Sequence, residues 1–191
     1  MENNISKHQI RNKIRQKRET LSKDFVQTSS KIIHDFLFSL TQYKQAKMIM
    51  PYIAFNNEVE TLPIIENAFQ NGKSICVSQI IKENKTIIPL KIKSVQDIDF
   101  SIKIPQPKNG EICNIEDMDI SIIPGIAFDI YGNRIGFGAG YYDKFLSNFK
   151  KIKIAIAFDF QVLEEKIPVY PYDIPMDIII TEKRIIKLNS L

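Results

Sequence analysis

The chain has 191 residues, of which 44% are hydrophobic and 25% are charged, and its formal net charge is +4. These values are ordinary for a globular protein and exclude a chain that is disordered throughout. The length predicts a single domain over residues 1–191, with a core large enough to fold without metals or disulfides. The modest positive charge favours an anionic ligand such as a nucleotide, but by itself it does not indicate nucleic-acid binding.

The two cysteines, Cys76 and Cys113, lie far apart and have no CxxC or Cys/His spacing. We therefore expect neither a zinc site nor a disulfide, and a reduced, cytoplasmic compartment is the simplest interpretation. The N-terminal sequence has no apolar segment typical of a secretory signal. No apolar run approaches the roughly 18–20 residues that span a bilayer, so we expect no membrane association.

Residues 5–21 have a helical pattern, with Ile10 and Ile14 on one side. A basic stripe runs along this helix at Lys7, Arg11, Arg15 and Arg18. Such a stripe is most often a solvated face, and we expect this for Arg15 and Arg18. An RNA-binding surface is the alternative, but the aromatic residues that accompany basic side chains on such surfaces are absent from this segment.

The next elements alternate between helix and strand. Ser22 is a candidate N-cap of a second helix, and residues 48–55 form an apolar run of strand length. Residues 62–72 predict a helix with proline near its start and Asn-Gly at its end, and residues 73–80 predict another strand. A strand, a helix and a strand in direct succession predict a βαβ unit with parallel strands.

The remaining elements continue this alternation. Further strands are predicted at residues 85–92, 119–125, 151–158, 176–181 and 183–188. A helix is predicted at residues 141–149, and residues 103–110 form a proline-rich loop. Continuous Ile-rich strands flanked by helices are typical of a sheet covered on both faces. We predict an α/β fold, a three-layer sandwich with a mostly parallel sheet and an N-terminal helical pair.

Residues 133–143 form a glycine-rich loop between a predicted strand and a predicted helix. Glycines stand at every second position, at Gly136, Gly138 and Gly140. The loop matches neither the Walker A nor the Rossmann pattern, and a tight turn explains such spacing about as often as phosphate binding does. However, Arg134 supplies a fork-shaped cation before the glycines, and Asp143 supplies a carboxylate of the kind that Mg²⁺ prefers. These neighbours favour a phosphate site at the helix N-terminus.

Other polar side chains could contact a ligand or could be structural. Glu58 follows a predicted strand and could face a ligand, although such a residue is more often solvated or a helix cap. Asp173 and Asp177 could stabilise turns or could supply a second carboxylate to a metal. His8 and His34 lie on predicted helices without metal-like partners, so we expect them to pack at the surface or between helices.

Residues 124–146, which include the glycine loop, closely resemble the signature of the 5-formyltetrahydrofolate cyclo-ligase family. Further segments resemble the same family in the same order, at residues 7–22, 56–61, 104–107, 157–161 and 172–182. The resemblance therefore covers nearly the whole chain. It implies an α/β fold of the ribose-5-phosphate isomerase and CoA-transferase type, and a cytoplasmic enzyme of one-carbon metabolism.

The resemblance implies a ligase that uses ATP and Mg²⁺ to convert 5-formyltetrahydrofolate, or its polyglutamylated forms, to 5,10-methenyltetrahydrofolate, ADP and phosphate. The formyl oxygen is a poor leaving group, so the γ-phosphoryl group is transferred to it. N10 of the folate then attacks the activated carbon, and phosphate departs. The resemblance implies a monomer or weak homodimer with no nucleic-acid partner.

The resemblance also assigns residues to the site. It implies ATP contacts from Lys7, Arg11, Arg134, Ile135, Gly136, Phe137, Gly138, Ala139, Gly140, Tyr141 and Tyr142. It implies folate contacts from Ile53, Glu58, Phe137, Gly138, Ala139, Gly140 and Tyr141. It implies catalytic roles for Arg134 and Tyr141, and Mg²⁺ binding by Asp143 and Asp173.

Some positions differ from the family pattern. Phe137 stands where many members have Arg or Tyr, and Ala139 stands where many have Lys or Gly. Without a lysine at the second position, more of the phosphate charge must be neutralised by the other cations and the metal. Tyr170 and Tyr172 stand where Glu and His are common. The differences in the glycine loop motivate an alternative, a non-catalytic folate- or nucleotide-binding regulator with the same fold.

Overall fold

A computed structural model describes residues 6–188 of the chain. The helices in this range are α1 (Lys7–Glu19), α2 (Lys23–Ser39), α3 (Thr41–Gln45), α4 (Leu62–Gln70) and α5 (Tyr141–Asn148). The strands are β1 (Met48–Pro51), β2 (Ser74–Ile81), β3 (Thr86–Ile92), β4 (Ile98–Asp99), β5 (Gln106–Pro107), β6 (Glu111–Ile112), β7 (Ile120–Ile123), β8 (Ala127–Asp129), β9 (Arg134–Ile135), β10 (Ile152–Ile156), β11 (Val162–Leu163), β12 (Ile178–Ile180) and β13 (Ile185–Lys187).

One large mixed sheet organises the fold, with eight strands in the order β13-β12-β10-β7-β1-β2-β3-β6. The strands from β12 to β2 in this order are parallel. The outer strands β13, β3 and β6 pair antiparallel. Because β1 and β2 are parallel neighbours connected through α4, the predicted βαβ unit is confirmed. The predicted α/β fold is likewise confirmed, but the sheet is mixed, since four of its seven strand pairings are parallel and three are antiparallel.

The central strands are buried on both faces. Successive side chains of a strand point to opposite faces, so alternate residues join two separate hydrophobic clusters. Ile49 and Ile122 pack in a cluster that includes side chains of α2 and α4. Met50 and Ile123 pack in a second cluster, which includes side chains of α5. This arrangement explains why the strands are continuously apolar in sequence.

The N-terminal helices agree with their prediction, and serine caps both. Ser6 and Gln9 form a capping box at the start of α1. Ser22 accepts a hydrogen bond from the Phe25 N–H at 3.1 Å and caps α2. The predicted start of the first helix at Ile5 lies outside the described residues. Among the helices of residues 6–188, none has the length and apolar character needed to cross a bilayer.

Several short elements are not predicted by the sequence pattern. The helix α3 has five residues and the strands of the β8–β9 hairpin have three and two, so none of them carries a readable periodicity. The strand β1 ends at Pro51, earlier than the predicted limit of residue 55. The residues that follow Pro51 leave the sheet and turn towards the pocket described below.

The β8–β9 hairpin is held by a carboxylate that is inside the protein. Asp129 is fully buried, and its Oδ1 accepts from the N–H groups of Tyr131 and Asn133 at 3.0 and 2.9 Å. Its Oδ2 accepts from Asn133 Nδ2 at 2.8 Å and from the Ile167 N–H at 2.9 Å. Asp129 therefore connects two parts of the chain by hydrogen bonds. One is the β8–β9 hairpin, which contains Arg134, and the other is the segment around Ile167, which precedes Asp173.

The expectation that the two cysteines are unpaired is wrong. Cys76 in β2 and Cys113 form a disulfide, with their Cα atoms 6.7 Å apart. Both lie next to β3, since β2 pairs with it and the Cys113 N–H donates to the Pro89 carbonyl at 2.9 Å. The sheet creates this proximity between residues 37 positions apart, which is why their spacing in the sequence did not reveal it.

Candidate active site

A pocket of about 450 Å³ lies where the ends of β1 and β7 meet the loop between β9 and α5. Ligands of parallel α/β sheets bind at this carboxyl edge, and the volume is typical of small-molecule sites. The pocket is lined by all the residues predicted for the site, which are Lys7, Arg11, Ile53, Glu58, Arg134, Ile135, Gly136, Phe137, Gly138, Ala139, Gly140, Tyr141, Tyr142, Asp143 and Asp173. Asp177, the other carboxylate considered, instead pairs with Lys153 at 2.7 Å between Oδ2 and Nζ.

Ten further residues line the pocket, and the sequence analysis assigns none of them to the site. They are Tyr52, Phe55, Ser78, Ile80, Ile87, Ile104, Pro105, Pro124, Tyr170 and Tyr172. Most are apolar side chains that cannot be distinguished from core residues in a sequence. Tyr170 and Tyr172 carry a signal, because they depart from the family pattern. Their rings stack with centroids 5.5 Å apart.

The start of α1 forms one wall of the pocket. Lys7 makes an ion pair with Asp173, and its ammonium lies 4.3 Å from the ring centroid of Tyr170. One turn later, Arg11 Nε donates to the Gly136 carbonyl at 2.9 Å. The first helix is therefore attached by side chains to both the glycine loop and the segment that carries Asp173. Lys7, Arg11 and Arg134 line the same pocket, in the grouping that the family resemblance implied.

The glycine loop brings bare backbone to the pocket. A Cβ atom at Gly136 would lie 2.7 Å from Arg134 Nη1, so a side chain at this position would displace the guanidinium. Gly138 has φ of +103°, a conformation that side chains disfavour. The loop leads directly into the N-terminus of α5, whose first N–H groups have no partners within the helix. This combination is suited to an anionic group.

Arg134 is almost completely buried at the base of the loop. Its Nη2 donates to Asp143 Oδ1 at 2.7 Å, and its Nη1 donates to the Pro124 carbonyl at 3.2 Å. The Nε atom is buried and has no hydrogen-bond partner among the described residues. A buried donor without a partner is uncommon in proteins, so this atom is a candidate contact for a ligand oxygen. These features fit the phosphate groups of a nucleotide.

Glu58 lines the same pocket and is buried, so the expectation that it is solvated or a cap does not apply. Its side chain is 3% exposed, and Oε2 accepts from the Phe55 N–H at 3.1 Å. Burial raises the pKa of Glu58 to about 7, although Arg18 and the Phe55 N–H act in the opposite direction. A carboxylate with this pKa changes charge near neutral pH.

The expectation that Arg18 is solvated is wrong. Arg18 is 4% exposed, and its Nη1 lies 3.5 Å from Glu58 Oε1. Its guanidinium also lies 5.6 Å from the ring centroid of Phe137, which stacks on Phe55 at the same centroid distance. Arg15 is only partly exposed as well. The charge pattern could not reveal the burial of Arg18, because its partner lies 40 residues away.

The carboxylates do not form a complete metal site by themselves. Among residues 6–188, no group of three or more His, Cys, Asp or Glu side chains could hold a metal ion. Asp143 pairs with Arg134, and Asp173 pairs with Lys7. Mg²⁺ commonly binds one or two carboxylates together with water and phosphate oxygens. These residues therefore fit a magnesium ion that arrives with a phosphate ligand.

Comparison with known proteins relates the chain to a family. The model of the 5-formyltetrahydrofolate cyclo-ligase family matches residues 3–182. The chain is 28% identical to the 5-formyltetrahydrofolate cyclo-ligase of Mus musculus, over 94% of this chain and 95% of that protein. It is 27% identical to the protein of the same name from Escherichia coli (strain K12), over 90% of this chain and 98% of that protein.

Solved structures agree with this relationship. The structure is similar to that of Aquifex aeolicus 5,10-methenyltetrahydrofolate synthetase, with a TM-score of 0.86, 32% identity, and coverage of 97% of this chain and 94% of that chain. It is also similar to that of the 5,10-methenyltetrahydrofolate synthetase of Mycoplasma pneumoniae, with a TM-score of 0.76 and 25% identity, over 93% of this chain and 99% of that chain. The names of these relatives support a catalytic protein over a non-catalytic regulator. The chain belongs to the 5-formyltetrahydrofolate cyclo-ligase family and is a ligase.

Proposed function

We propose that the chain converts 5-formyltetrahydrofolate to 5,10-methenyltetrahydrofolate and uses ATP, which leaves as ADP and phosphate. The observation that carries this proposal is the pairing of two different environments in one pocket. The pocket is lined by the glycine loop with Arg11 and Arg134, and it is also lined by the buried carboxylate of Glu58. The first suits a polyphosphate, and the second suits the N–H groups of a pterin ring.

The residues of this chain position the reactants and neutralise charge. In the proposed complex, the loop from Gly136 to Gly140 holds the phosphates, and Lys7, Arg11 and Arg134 compensate their charge. ATP supplies the phosphoryl group that turns the formyl oxygen into a leaving group. Tyr141, at the first position of α5, lines the pocket and is proposed to contact both ligands. Side chains that hold the formyl carbon close to N10, and the formyl oxygen close to the γ-phosphoryl group, would account for much of the rate.

The folate end of the site is proposed to use Ile53, Glu58 and the segment from Phe137 to Tyr141. Phe137 and Phe55 both line the pocket and form a stacked aromatic pair. Aromatic rings commonly stack on flat ligands, so this departure from the family pattern remains compatible with a folate. The nearby cations Lys7, Arg11 and Arg134 are proposed to replace the charge that a lysine at position 139 would have supplied.

The decisive experiment incubates the purified protein with ATP, Mg²⁺ and 5-formyltetrahydrofolate. We expect the absorbance band of the methenyl product to appear, and to require both ATP and the protein. Folded protein that binds the folate tightly but forms no product would refute the enzyme and support the regulator. Folded protein with neither binding nor product would refute both functions.

We propose that Mg²⁺ is bound by Asp143, with Asp173 as a second carboxylate, and neutralises phosphate charge. The Asp143→Asn variant is expected to need about tenfold more Mg²⁺ for half-maximal rate, which corresponds to about 1.4 kcal/mol. Initial rates measured against free Mg²⁺ at saturating ATP and folate test this. Asp24→Asn is the matched control, since Asp24 also lies in the first turn of a helix. Equal Mg²⁺ requirements for wild type and Asp143→Asn would contradict the metal role.

We propose that the partner is the folate itself, with or without a polyglutamate tail, and that the protein is a monomer or weak homodimer. Neither nucleic acid nor membrane is proposed as a partner. Light scattering over a range of protein concentrations tests the oligomeric state. A stable assembly larger than a dimer would contradict the proposal.

A cytoplasmic location is proposed because ATP is supplied there, but the Cys76–Cys113 disulfide is unusual for that compartment. The two thiols of the purified protein are expected to react with a thiol reagent only after reduction. The same labelling, applied as cells are lysed so that the thiols are captured in their cellular redox state, tests whether the cysteine pair is oxidised in the cell. Labelling of both thiols without reductant would contradict the disulfide.

A further inference from the structure

Arg18 and Glu58 form an ion pair beside the pocket, and both side chains are nearly inaccessible to solvent. The distance between Arg18 Nη1 and Glu58 Oε1 is 3.5 Å, and the side chains are 5% and 3% exposed. Arg18 belongs to the last turn of α1, and Glu58 lies between β1 and α4. Of the two, Glu58 lines the pocket. Arg18 can therefore influence a ligand through Glu58.

Arg18 also holds the turn that presents Glu58. Its backbone carbonyl accepts a hydrogen bond from Asn57 Nδ2 at 3.2 Å. Asn56 and Asn57 have φ of +50° and +53°, in the left-handed region that asparagine tolerates better than most residues. The guanidinium of Arg18 packs near the ring of Phe137 at 5.6 Å. One residue thus joins α1, the turn before Glu58 and the glycine loop.

The charge of Glu58 depends on this neighbour. Burial raises the pKa of Glu58 to about 7, and the positive charge of Arg18 is the largest influence that lowers it. The other titratable groups that face Glu58 are the phenols of Tyr52, which follows β1, and Tyr142 of α5. Burial raises both phenol pKa values, so neither phenol ionises near neutral pH. Arg18 therefore favours the ionised form of Glu58 at neutral pH.

We propose that Arg18 is a positioning residue for folate binding, which holds the Glu58 carboxylate ionised and oriented towards the pterin ring. This proposal rests on the proposed function, because the ligand is the folate assigned there. An ionised carboxylate has two oxygens that accept hydrogen bonds, and a pterin offers adjacent N–H donors. A protonated Glu58 would place its own O–H donor against them.

The test measures the dissociation constant of 5-formyltetrahydrofolate by equilibrium titration without ATP, between about pH 6 and pH 9. Wild-type affinity is expected to fall as the pH drops below about 7. Arg18→Gln is expected to bind about tenfold more weakly at neutral pH and to recover affinity at higher pH, because Glu58 then needs a higher pH to ionise. The folate affinity of Arg18→Lys, which keeps the positive charge, should lie between those of wild type and Arg18→Gln.

Two further variants complete the design. Arg15→Gln is the matched control on the same helix, because Arg15 forms no ion pair with any described residue, and wild-type binding is expected for it. Glu58→Gln is expected to bind weakly at every pH, and Arg18→Gln should weaken this variant no further. Because Arg18 is buried, the melting temperature of each variant is measured, and Arg18→Lys and Glu58→Gln carry the test if Arg18→Gln does not fold.

The proposal is overturned if folded Arg18→Gln has the affinity and pH profile of wild type, or loses the same factor at every pH. It is also overturned if wild type and Arg18→Lys bind the folate without pH dependence. Turnover is scored separately from binding. A pH shift in binding without any turnover refutes the proposed reaction and supports the role of Arg18. Normal turnover without a pH shift in binding supports the proposed reaction and refutes the role of Arg18.

Discussion

Replacing Arg134 by methionine is expected to lower kcat about 10³-fold. Among the three pocket cations Lys7, Arg11 and Arg134, only Arg134 pairs with Asp143, the proposed metal ligand. Its buried Nε also has no hydrogen-bond partner among the described residues. In this water-poor position, its charge would act strongly on a transferring phosphoryl group. Steady-state rates with ATP and 5-formyltetrahydrofolate at saturation measure the loss.

The Arg134→Lys variant separates charge from shape. Lysine keeps the positive charge but cannot reproduce the contacts with both Asp143 and the Pro124 carbonyl, so an intermediate rate is expected. Thermal melts and circular dichroism identify any variant that is only misfolded. A kcat of folded Arg134→Met within about threefold of wild type would contradict a role in the chemical step.

The Asp129→Ala substitution is expected to have the largest effect on stability. It leaves four hydrogen-bond donors without their buried acceptor, and one of them, the Ile167 N–H, comes from a distant segment. Loss of a buried charged acceptor on this scale should lower the free energy of unfolding by about 3–5 kcal/mol. The melting temperature should fall by about 10 °C in a chain of this length.

Calorimetry or denaturant unfolding measures this loss, and Asp117→Ala is the matched control. Asp117 is an exposed aspartate in a short turn, so its removal should change stability by no more than about 0.5 kcal/mol. Asp129→Asn keeps one acceptor oxygen, so its free energy of unfolding should lie between those of Asp129→Ala and wild type. If Asp129→Ala melts at the temperature of the Asp117→Ala control, the hairpin does not depend on Asp129 in the way described.

The elements that the sequence predicts well are those with a long, regular pattern. The βαβ unit follows from two apolar runs and a helix bounded by proline and Asn-Gly, all within residues 48–81. The glycine loop and α5 follow equally well, because Gly140 and the change from strand to helix periodicity mark the boundary. The grouping of Lys7, Arg11 and the loop followed from the family resemblance. Composition alone could not have placed α1 against the loop.

What the sequence could not predict depends on contacts between distant segments. The burial of Arg18 requires Glu58, and the Cys76–Cys113 bond requires the strand order around β3. Asp129 reads as an ordinary turn residue until the hydrogen bond from Ile167 places it inside the protein. In each case a polar group is stable in the interior because a partner from another part of the fold satisfies it.

The contact between Lys7 and Asp173 has a consequence for how the protein is made. The two residues are 166 positions apart, so α1 leaves the ribosome long before its partner does. Contacts over such separations form slowly, because a long loop must close first. The ligand pocket is therefore completed only after Asp173 has been synthesised, and a nascent chain that stops before residue 173 lacks the partner of Lys7.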